Sequence, residues 1–361
     1  LSFPAPQRTQ SSSEGKRMST AQATAYQAAM LRALELANQS PRYGQNPQVG
    51  AVLINDQGEI LAEGFHRGAG TAHAEIDALN NLASKNLSAK GLTAVVTLEP
   101  CNHVGITGPC ANALIEAGIK RVVFGAADPG EAEGGGRLTL EHAGVEVIDG
   151  LFAKECRAVI APWFINKFEK RPYVIIKWAT SLDGRTAAAD TTSKWITSAE
   201  SRHDVHARRA QSQAILVGTN TVEVDDPELT ARKPDGSTYK DQPLRVIVGQ
   251  RKISKEKRVF NDASETIQLE TRDLAQVMAT LFDRGINQVF VEGGSKIESE
   301  LIKSGFADEF LIYLAPKLIG GPALAIGDIG VGSINQALDL EILETLKLGV
   351  DILVRAVKKE S

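Results

Sequence analysis

Apolar positions along the chain fall into two successive series of helix-like and strand-like runs. Over residues 20–36, Ala, Leu and Met recur at three-to-four spacing, which predicts a helix and the start of a first globular domain. VGAVLIN (49–55) and EILAEGF (59–65) then flank Asp56-Gln57-Gly58 as the arms of a hairpin would. A helix over 74–83 leads to the strand TAVVTLE (93–99), and a helix over 111–117 leads to RVVFGAA (121–127). Short apolar strands alternating with helices predict a sheet covered on both faces. A helical stretch over 151–168 closes this half.

Glu169-Lys170-Arg171-Pro172 is charged and ends in a helix breaker, so 169–172 is the expected linker between domains at 20–168 and 173–361. The second series has strands at YVIIKWA (173–179), AILVG (214–218), LRVIVG (244–249), QVFVEGG (288–294) and FLIYLAP (310–316), with a helix over 274–283. No repeat relates the halves, so the second domain is expected to have a different fold. Residues 1–19 are rich in Ser, Gln and Pro and lack the apolar core of a secretory signal. They read as a disordered tail, with Met18 as a candidate start.

Composition narrows the partners. The 361 residues agree with a two-domain length. Hydrophobic residues at 43% and charged ones at 23% exclude a disordered chain. The absence of any apolar run of about 18 residues gives no sign of a membrane span. Forty basic against forty-four acidic residues, a net charge of −4, is too balanced for a protein that coats nucleic acid or anionic lipid. Small, locally recognised ligands fit better. Three cysteines form no disulfide framework, and their odd number points to a reducing compartment, the cytoplasm.

Chemistry concentrates first at His73-Ala74-Glu75 and at Glu99-Pro100-Cys101, with Cys110 nine positions further on. One imidazole and two thiolates supply three zinc ligands and leave a tetrahedral position for water, the arrangement of a catalytic zinc. Zinc so held activates water at neutral pH, and Glu75 is placed to carry the proton to a leaving ammonia. Both ligand segments enter helices, whose N-terminal dipoles favour thiolates. The competing reading is a structural zinc site, which would need a fourth protein ligand.

The H-x-E and P-C…C pattern resembles that of the cytidine-deaminase-like zinc deaminases. The stretches EPCNHVGITGPC, NPQVGAV and FHRGAGTAHAE are similar to the riboflavin-biosynthesis branch of that family. The resemblance implies a three-layer α/β/α domain, with His73, Cys101 and Cys110 on zinc and Glu75 catalytic. It also places Asn46, His66 and His103 against a phosphoribosylated pyrimidine. On residue type alone a lone histidine is more often a structural hydrogen-bonder; His142, before a glycine stop, reads as a helix end. Ile106 stands where the family has Lys or Arg, and Gly108 where it has Pro. A missing cation implies that another basic residue holds the substrate phosphate, or that it is held less tightly.

In the second half, SLDGRTAAA, SKWIT, VGTNTVEVDDPELTAR and VEGGSKIESEL form loops after strands. No G-x-G-x-x-G opens it, which disfavours a Rossmann site. The best phosphate cradle is Gly293-Gly294-Ser295, between an apolar strand and a helix. These loops resemble the reductase domain of the bifunctional bacterial riboflavin enzymes, a dihydrofolate-reductase-like α/β fold that uses NADPH. The resemblance implies that Ala179, Trp195, Thr221, Asp225 and Gly294 touch the cofactor. It puts Ser193, Arg209, Leu229, Arg232 and Glu292 on the phosphoribosyl substrate, with Lys177 also facing it. Arg209 and Arg232 suit a phosphate, which guanidinium binds in bidentate fashion.

Three features keep a bland reading. Asp225-Asp226-Pro227 alone is a turn initiator. The basic run RKISKEKR (251–258) reads as a solvated hairpin, with contact to the cofactor's 2′-phosphate as the alternative. His203 and His206, one helical turn apart, read as polar surface.

The expectation is therefore a bifunctional enzyme of riboflavin biosynthesis. It would be a homo-oligomer acting on a small phosphoribosyl pyrimidine, without nucleic acid or membrane partners. It would deaminate 2,5-diamino-6-(5-phosphoribosylamino)pyrimidin-4(3H)-one at zinc, then reduce the product with NADPH. Two rivals are a zinc deaminase of RNA or DNA bases, and a non-catalytic zinc-stabilised binding protein. Net charge and the wide Cys101/Cys110 spacing weigh against the first. The lack of a fourth ligand in a matching motif weighs against the second.

Overall fold

Uninterrupted aliphatic runs make the centre of the first sheet, because a strand buried on both faces has no polar side. The structure is a computed structural model that describes residues 19–42, 44, 46–103, 108–130 and 134–359. It divides into two compact units between Lys167 and Phe168.

The first unit begins with α1 (Thr20–Ala37), closed by a capping box in which Ser19 accepts from the Gln22 amide and the Gln22 side chain returns to Ser19. The rest of the expected tail lies outside the described residues. There follow β1 (Gly50–Ile54), β2 (Ile60–Phe65), α2 (Ala74–Ser84), β3 (Thr93–Leu98), α3 (Cys110–Glu116), β4 (Arg121–Ala126), α4 (Gly136–His142), β5 (Glu146–Ile148) and α5 (Ala153–Phe164). The sheet order is β2-β1-β3-β4-β5, with β1 antiparallel to both neighbours and β3, β4 and β5 parallel. Every residue of β1, β3 and β4 is buried. Helix α1 packs with α5, and α2 and α4 each pack with α3, which gives the sheet its two covering layers. The helix expected over 151–168 is α5 followed by a π turn, Ile165–Glu169. His142 ends α4, as the following Gly144 suggests.

The second unit contains β6 (Tyr173–Ser181), α6 (Ala199–Ala210), β7 (Ala214–Gly218), α7 (Thr219–Asp225), β8 (Leu244–Val248), β9 (Thr266–Leu269) and α8 (Leu274–Asp283). It continues with β10 (Gln288–Val291), α9 (Ser295–Lys303), β11 (Glu309–Ala315), β12 (Leu340–Leu348) and β13 (Asp351–Lys358). Its sheet order is β12-β13-β11-β6-β10-β7-β8-β9. Strands β6 to β11 pair in parallel, and β13 and β12 add antiparallel at one edge. Val174, Ile176, Leu216, Val289, Val291 and Phe310 lie in one apolar cluster against α8 and α9. Ile215, Val217, Ile247 and Leu229 build another.

Two expectations are corrected here. Residues 251–258 are not a hairpin. They lie in the crossover between β8 and β9, which run parallel, and Ile253 is buried there. Their charges fold onto the unit, with Lys257 near Glu223 and Arg258 near Asp226 and Glu228. His206 is not plain surface. It is half-buried, and its Nδ1 lies 3.0 Å from the Thr230 carbonyl, whereas His203 is exposed.

Arg171 is also drawn inward. Its guanidinium donates to both oxygens of buried Asp308, at 2.7 and 2.8 Å, and Asp308 also accepts from the Val174 amide at 2.8 Å. Removing one member of a buried ion pair leaves the other charge uncompensated. Asp308→Ala is therefore expected to lower the stability of the second unit by about 3–5 kcal/mol in chemical denaturation. A change below about 1 kcal/mol would show that the pair does not hold β6 in place.

Candidate active sites

The first site forms where β2, β3 and β4 hand over to helices. His73 is the N-cap of α2, Cys101 follows β3, and Cys110 is the first residue of α3. Two glycines allow this convergence. A Cβ on Gly64 would lie 2.3 Å from the Ala78 nitrogen, so only glycine lets α2 lie on β2. A Cβ on Gly136 would lie 1.8 Å from the Pro100 carbonyl oxygen, so only glycine lets α4 approach the cysteine loop. Glu99 secures the same loop, accepting from the Asp128 amide at 3.2 Å and the Arg137 amide at 2.9 Å.

His73 Nδ1 stands 3.6 Å from Cys101 Sγ and 3.3 Å from Cys110 Sγ. The three donor atoms lie within 4.8 Å of one another, a soft-to-borderline set that suits zinc. Hydrogen bonds from the Cys110 thiol, and then from His73, bring the Cys101 thiol well below its ordinary value against the cost of burial. The same bond and burial push Cys110 up. Glu75, in the first turn of α2, is 4% exposed. Burial first, then the Cys101 charge, raises its carboxyl to about 7. A dication among these donors would act in the opposite direction.

His73, Glu75 and Cys101 face a cavity of about 120 Å³ that Asn46, His66 and His103 also line, and Cys110 lies behind them, fully buried, so the expected residues of the first half are brought together. His66 Nδ1 is 3.1 Å from the Ala72 carbonyl and its Nε2 is 3.0 Å from Asn46 Nδ2. The consistent tautomer donates from Nδ1 and accepts from the Asn46 amide at Nε2. Burial holds His66 below its ordinary value, which favours this neutral form. His103 presents a buried Nδ1 with no hydrogen-bond partner among the described residues. Ile106 lies outside the described residues, and Gly108 has open space around it.

Sequence reasoning missed Asp128, Trp163 and Lys167, which also line the cavity. Asp128 lies just beyond the end of β4, where a parallel strand typically delivers functional groups, and that position was a usable signal. Lys167 comes from the turn after α5, far from any motif, with Nζ 5.0 Å from the Trp163 ring centre.

The second site lies at the ends of β6, β7 and β10. Arg209 of α6 clasps Glu292 through Nε at 2.5 Å and Nη2 at 2.9 Å, and donates from Nη1 to the Thr230 carbonyl at 3.0 Å. Lys177 of β6 adds a charge 3.7 Å from Glu292. Against the cost of full burial, Arg209 and then Lys177 hold Glu292 at about 2. His206 shares the Thr230 carbonyl with Arg209, and burial, Arg209 and Arg232 push it down to about 4. The Arg232 amide nitrogen lies 3.3 Å from His206 Nδ1, the atom that also faces the Thr230 carbonyl and can serve only one of the two partners at a time, and the Arg232 side chain pairs with Glu228 at 2.8 Å. Arg209, Glu292 and Arg232 thus surround His206, a residue the sequence reads as polar surface.

The expected cofactor residues fall into separate contacts. Thr221 and Asp225 share one face of α7 at i, i+4 spacing. Thr221 Oγ1 donates to the Gly293 carbonyl at 2.8 Å, beside Gly294. Lys194 Nζ lies 3.4 Å from the Asp225 carbonyl, which brings the segment of half-buried Ser193 and exposed Trp195 to the end of α7. Ala179 is half-buried on β6, opposite Tyr313. Leu229 is 4% exposed, with φ +53° and its side chain in the apolar cluster, so only its backbone is available to a ligand.

Comparison with known proteins covers both units. Residues 23–126 match the cytidine and deoxycytidylate deaminase zinc-binding region, and residues 172–354 match the RibD C-terminal domain. The riboflavin biosynthesis protein RibD of Mycobacterium tuberculosis is 44% identical over 314 residues, covering 87% of this chain and 91% of that protein. RibD of Escherichia coli is 36% identical over 364 residues, covering 91% and 98%. A crystal structure from Thermotoga maritima superposes with a TM-score of 0.76 at 33% identity, covering 93% of this chain and 99% of its own. It is described as a diaminohydroxyphosphoribosylaminopyrimidine deaminase/5-amino-6-(5-phosphoribosylamino)uracil reductase.

With three protein donors, loss of one should leave too few to retain zinc. Purified protein is expected to carry zinc, and Cys110→Ser to lose it through desalting, as read by elemental analysis. Full zinc retention by that variant would move the metal away from these residues.

Proposed function

Because this chain belongs to the RibD family of riboflavin biosynthesis proteins, we propose that its first unit deaminates 2,5-diamino-6-(5-phosphoribosylamino)pyrimidin-4(3H)-one and its second reduces the product's ribosyl group to ribityl, giving 5-amino-6-(5-phosphoribitylamino)uracil. The chain is a bifunctional enzyme, a zinc-dependent deaminase joined to an NADPH-using reductase, and its substrate is a small molecule. The observation that carries the division of labour is the cluster of three metal donors, two of which line one cavity together with Glu75.

His73, Cys101 and Cys110 would hold zinc, which as a Lewis acid activates water at neutral pH. Glu75, buried beside these donors, takes the water's proton and returns it to the departing amine. Asn46, fixed by His66, presents its remaining amide atoms to the pyrimidine, and His103 offers its unpaired Nδ1. Lys167 holds the substrate phosphate. It is the only lysine or arginine among the described residues lining the cavity, and the loop from Asn102 to Pro109 contains neither.

In the second unit NADPH supplies the hydride. Ala179, Trp195, Thr221, Asp225 and the Gly294 loop face it. Arg209 fixes Glu292 as a carboxylate that accepts from sugar hydroxyls, with Lys177 beside it. Arg209, Arg232, Ser193 and the backbone at Leu229 hold the phosphoribosyl end. The free thiols Cys101, Cys110 and Cys156 suit a reducing compartment, and we assign the chain to the cytoplasm, which cell fractionation tests. A homo-oligomer is supported by the β12–β13 hairpin. It ends the sheet and exposes Ile342, Leu346, Val350 and Ile352, an apolar edge open to pairing.

Glu75→Gln is expected to slow ammonia release by about 10²–10⁴-fold while reduction of already deaminated substrate proceeds unchanged. In the same assay Lys167→Ala should raise KM for the phosphorylated substrate and leave that for the dephosphorylated one alone. Equal losses in both halves for Glu75→Gln would defeat the two-site assignment. Light scattering should give a mass of more than one chain for the wild type and a monomer for Ile342→Lys/Ile352→Lys. A monomeric wild type would remove the hairpin's role.

A further inference from the structure

Helix α9 begins where a dinucleotide's phosphates are expected, and its first free amide already has a partner within the chain. Gly294, at φ +78°, is the N-cap of α9, and its amide donates to Glu298 Oε1 at 3.1 Å. Glu298 is 2% exposed, so this contact is internal rather than a solvated accident. The glycines leave no slack. A Cβ on Gly293 would lie 2.1 Å from Ile297, and Thr221 pins the Gly293 carbonyl from the other side.

We propose that Glu298 is a positioning residue of the reductase unit, whose buried carboxyl holds the Gly294 amide and, by its charge, governs how well that loop accepts the phosphates of a dinucleotide. This rests on the reading of the Gly294 loop as the cofactor cradle. An ionised carboxylate competes with phosphate for the amide and adds a negative charge beside it. A neutral carboxyl still accepts the amide through its carbonyl oxygen but repels no phosphate, and its O–H becomes a donor.

The surroundings set which form is present. From β6, Lys177 favours the charged form of Glu298, and from the end of β10, Glu292 opposes it. Glu292 is itself neutralised by its clasp with Arg209 of α6. Burial outweighs these and lifts Glu298 to about 8. Below that pH the side chain is neutral and the cradle receptive; above it the carboxylate forms and anion binding weakens. If only the neutral form binds well, the receptive fraction falls about tenfold between pH 7 and 9, and the apparent Kd rises by the same factor. The cofactor's pyrophosphate diester carries one fixed charge on each phosphorus, and its 2′-phosphate monoester, with a second ionisation near 6, is already charged across this range.

The test is the Kd of NADPH for the full-length protein, read by nucleotide fluorescence without turnover at pH 7 and pH 9 and constant ionic strength. Wild type should weaken about tenfold. Glu298→Gln, which keeps an oxygen for the Gly294 amide but never ionises, should bind at pH 9 as it does at pH 7. A pH-independent wild type, or the same weakening in Glu298→Gln, overturns the role of Glu298 and leaves the cradle standing. Absence of NADPH binding at either pH overturns the cradle and this inference together. Should Glu298→Gln not fold, infrared spectra of wild type decide. A protonated-carboxyl band lost in step with NADPH affinity upholds the proposal, and a band that persists through pH 9 defeats it.

Discussion

A loop that leaves a parallel sheet gives up its ladder partners, and each backbone amide buried without a new acceptor costs about 1–3 kcal/mol. Buried or half-buried carboxylates meet that constraint throughout this chain. Asp77 accepts from the Phe65 amide at 3.1 Å where β2 ends, and Glu99 accepts the two amides that fold the loops beyond β3 and β4 onto each other. Asp308 takes the Val174 amide, Glu298 the Gly294 amide, and Asp351 the Ser198 amide at 2.7 Å together with the Ser201 hydroxyl. Each bond fixes a segment that carries a candidate ligand-binding side chain or supports one. The scaffold of both sites is thus acidic, although the molecule's net charge is close to balanced. A carboxyl has two oxygens and can take two amides at once, as Glu99 does, and where it is ionised its bonds are the stronger for it.

What the sequence made legible follows from the same physics. Strands buried on both faces, such as β1, β3 and β7, are continuous apolar runs, and their positions match the structure to within a residue or so at each end. The metal donors were also legible, because a histidine and two cysteines serve chemistry that few other residue types can. Elements with little apolar periodicity were not. In α6 only Ser201 and Val205 are buried, so its sequence AESRHDVHARRA carries almost no core signal. Strand β12 lies mostly open at the sheet edge, and β9 has four half-buried residues. His206 escaped for a related reason. A half-buried imidazole on a polar helix looks like surface until the loop carrying Thr230 and Arg232 is laid against it. Lys167 and Glu298 reach their places from the turn after α5 and from inside a helix, positions that no motif spacing encodes.

Glu292 and Glu298 show why residue type and burial do not by themselves assign a role. Both are glutamates of the same strand–loop–helix segment, six positions apart, and both are nearly inaccessible to solvent. Glu292 receives two guanidinium bonds from Arg209 and the nearby charge of Lys177, which more than offset desolvation, so it stays an acceptor at any physiological pH. Glu298 has one backbone amide, and its nearest opposing charge is partly cancelled by Glu292, so burial prevails and the proton remains until about pH 8. Pairs of carboxyls driven apart in this way are how one fold keeps an acceptor and a donor side by side. The separation depends on Arg209 more than on either glutamate. With that guanidinium gone, Glu292 would lose its strongest reason to ionise, and its weakened charge would in turn relieve Glu298. One cation on α6 therefore holds Glu292 ionised and bears on Glu298 only through Glu292, and it does so through a guanidinium that also donates to the Thr230 carbonyl.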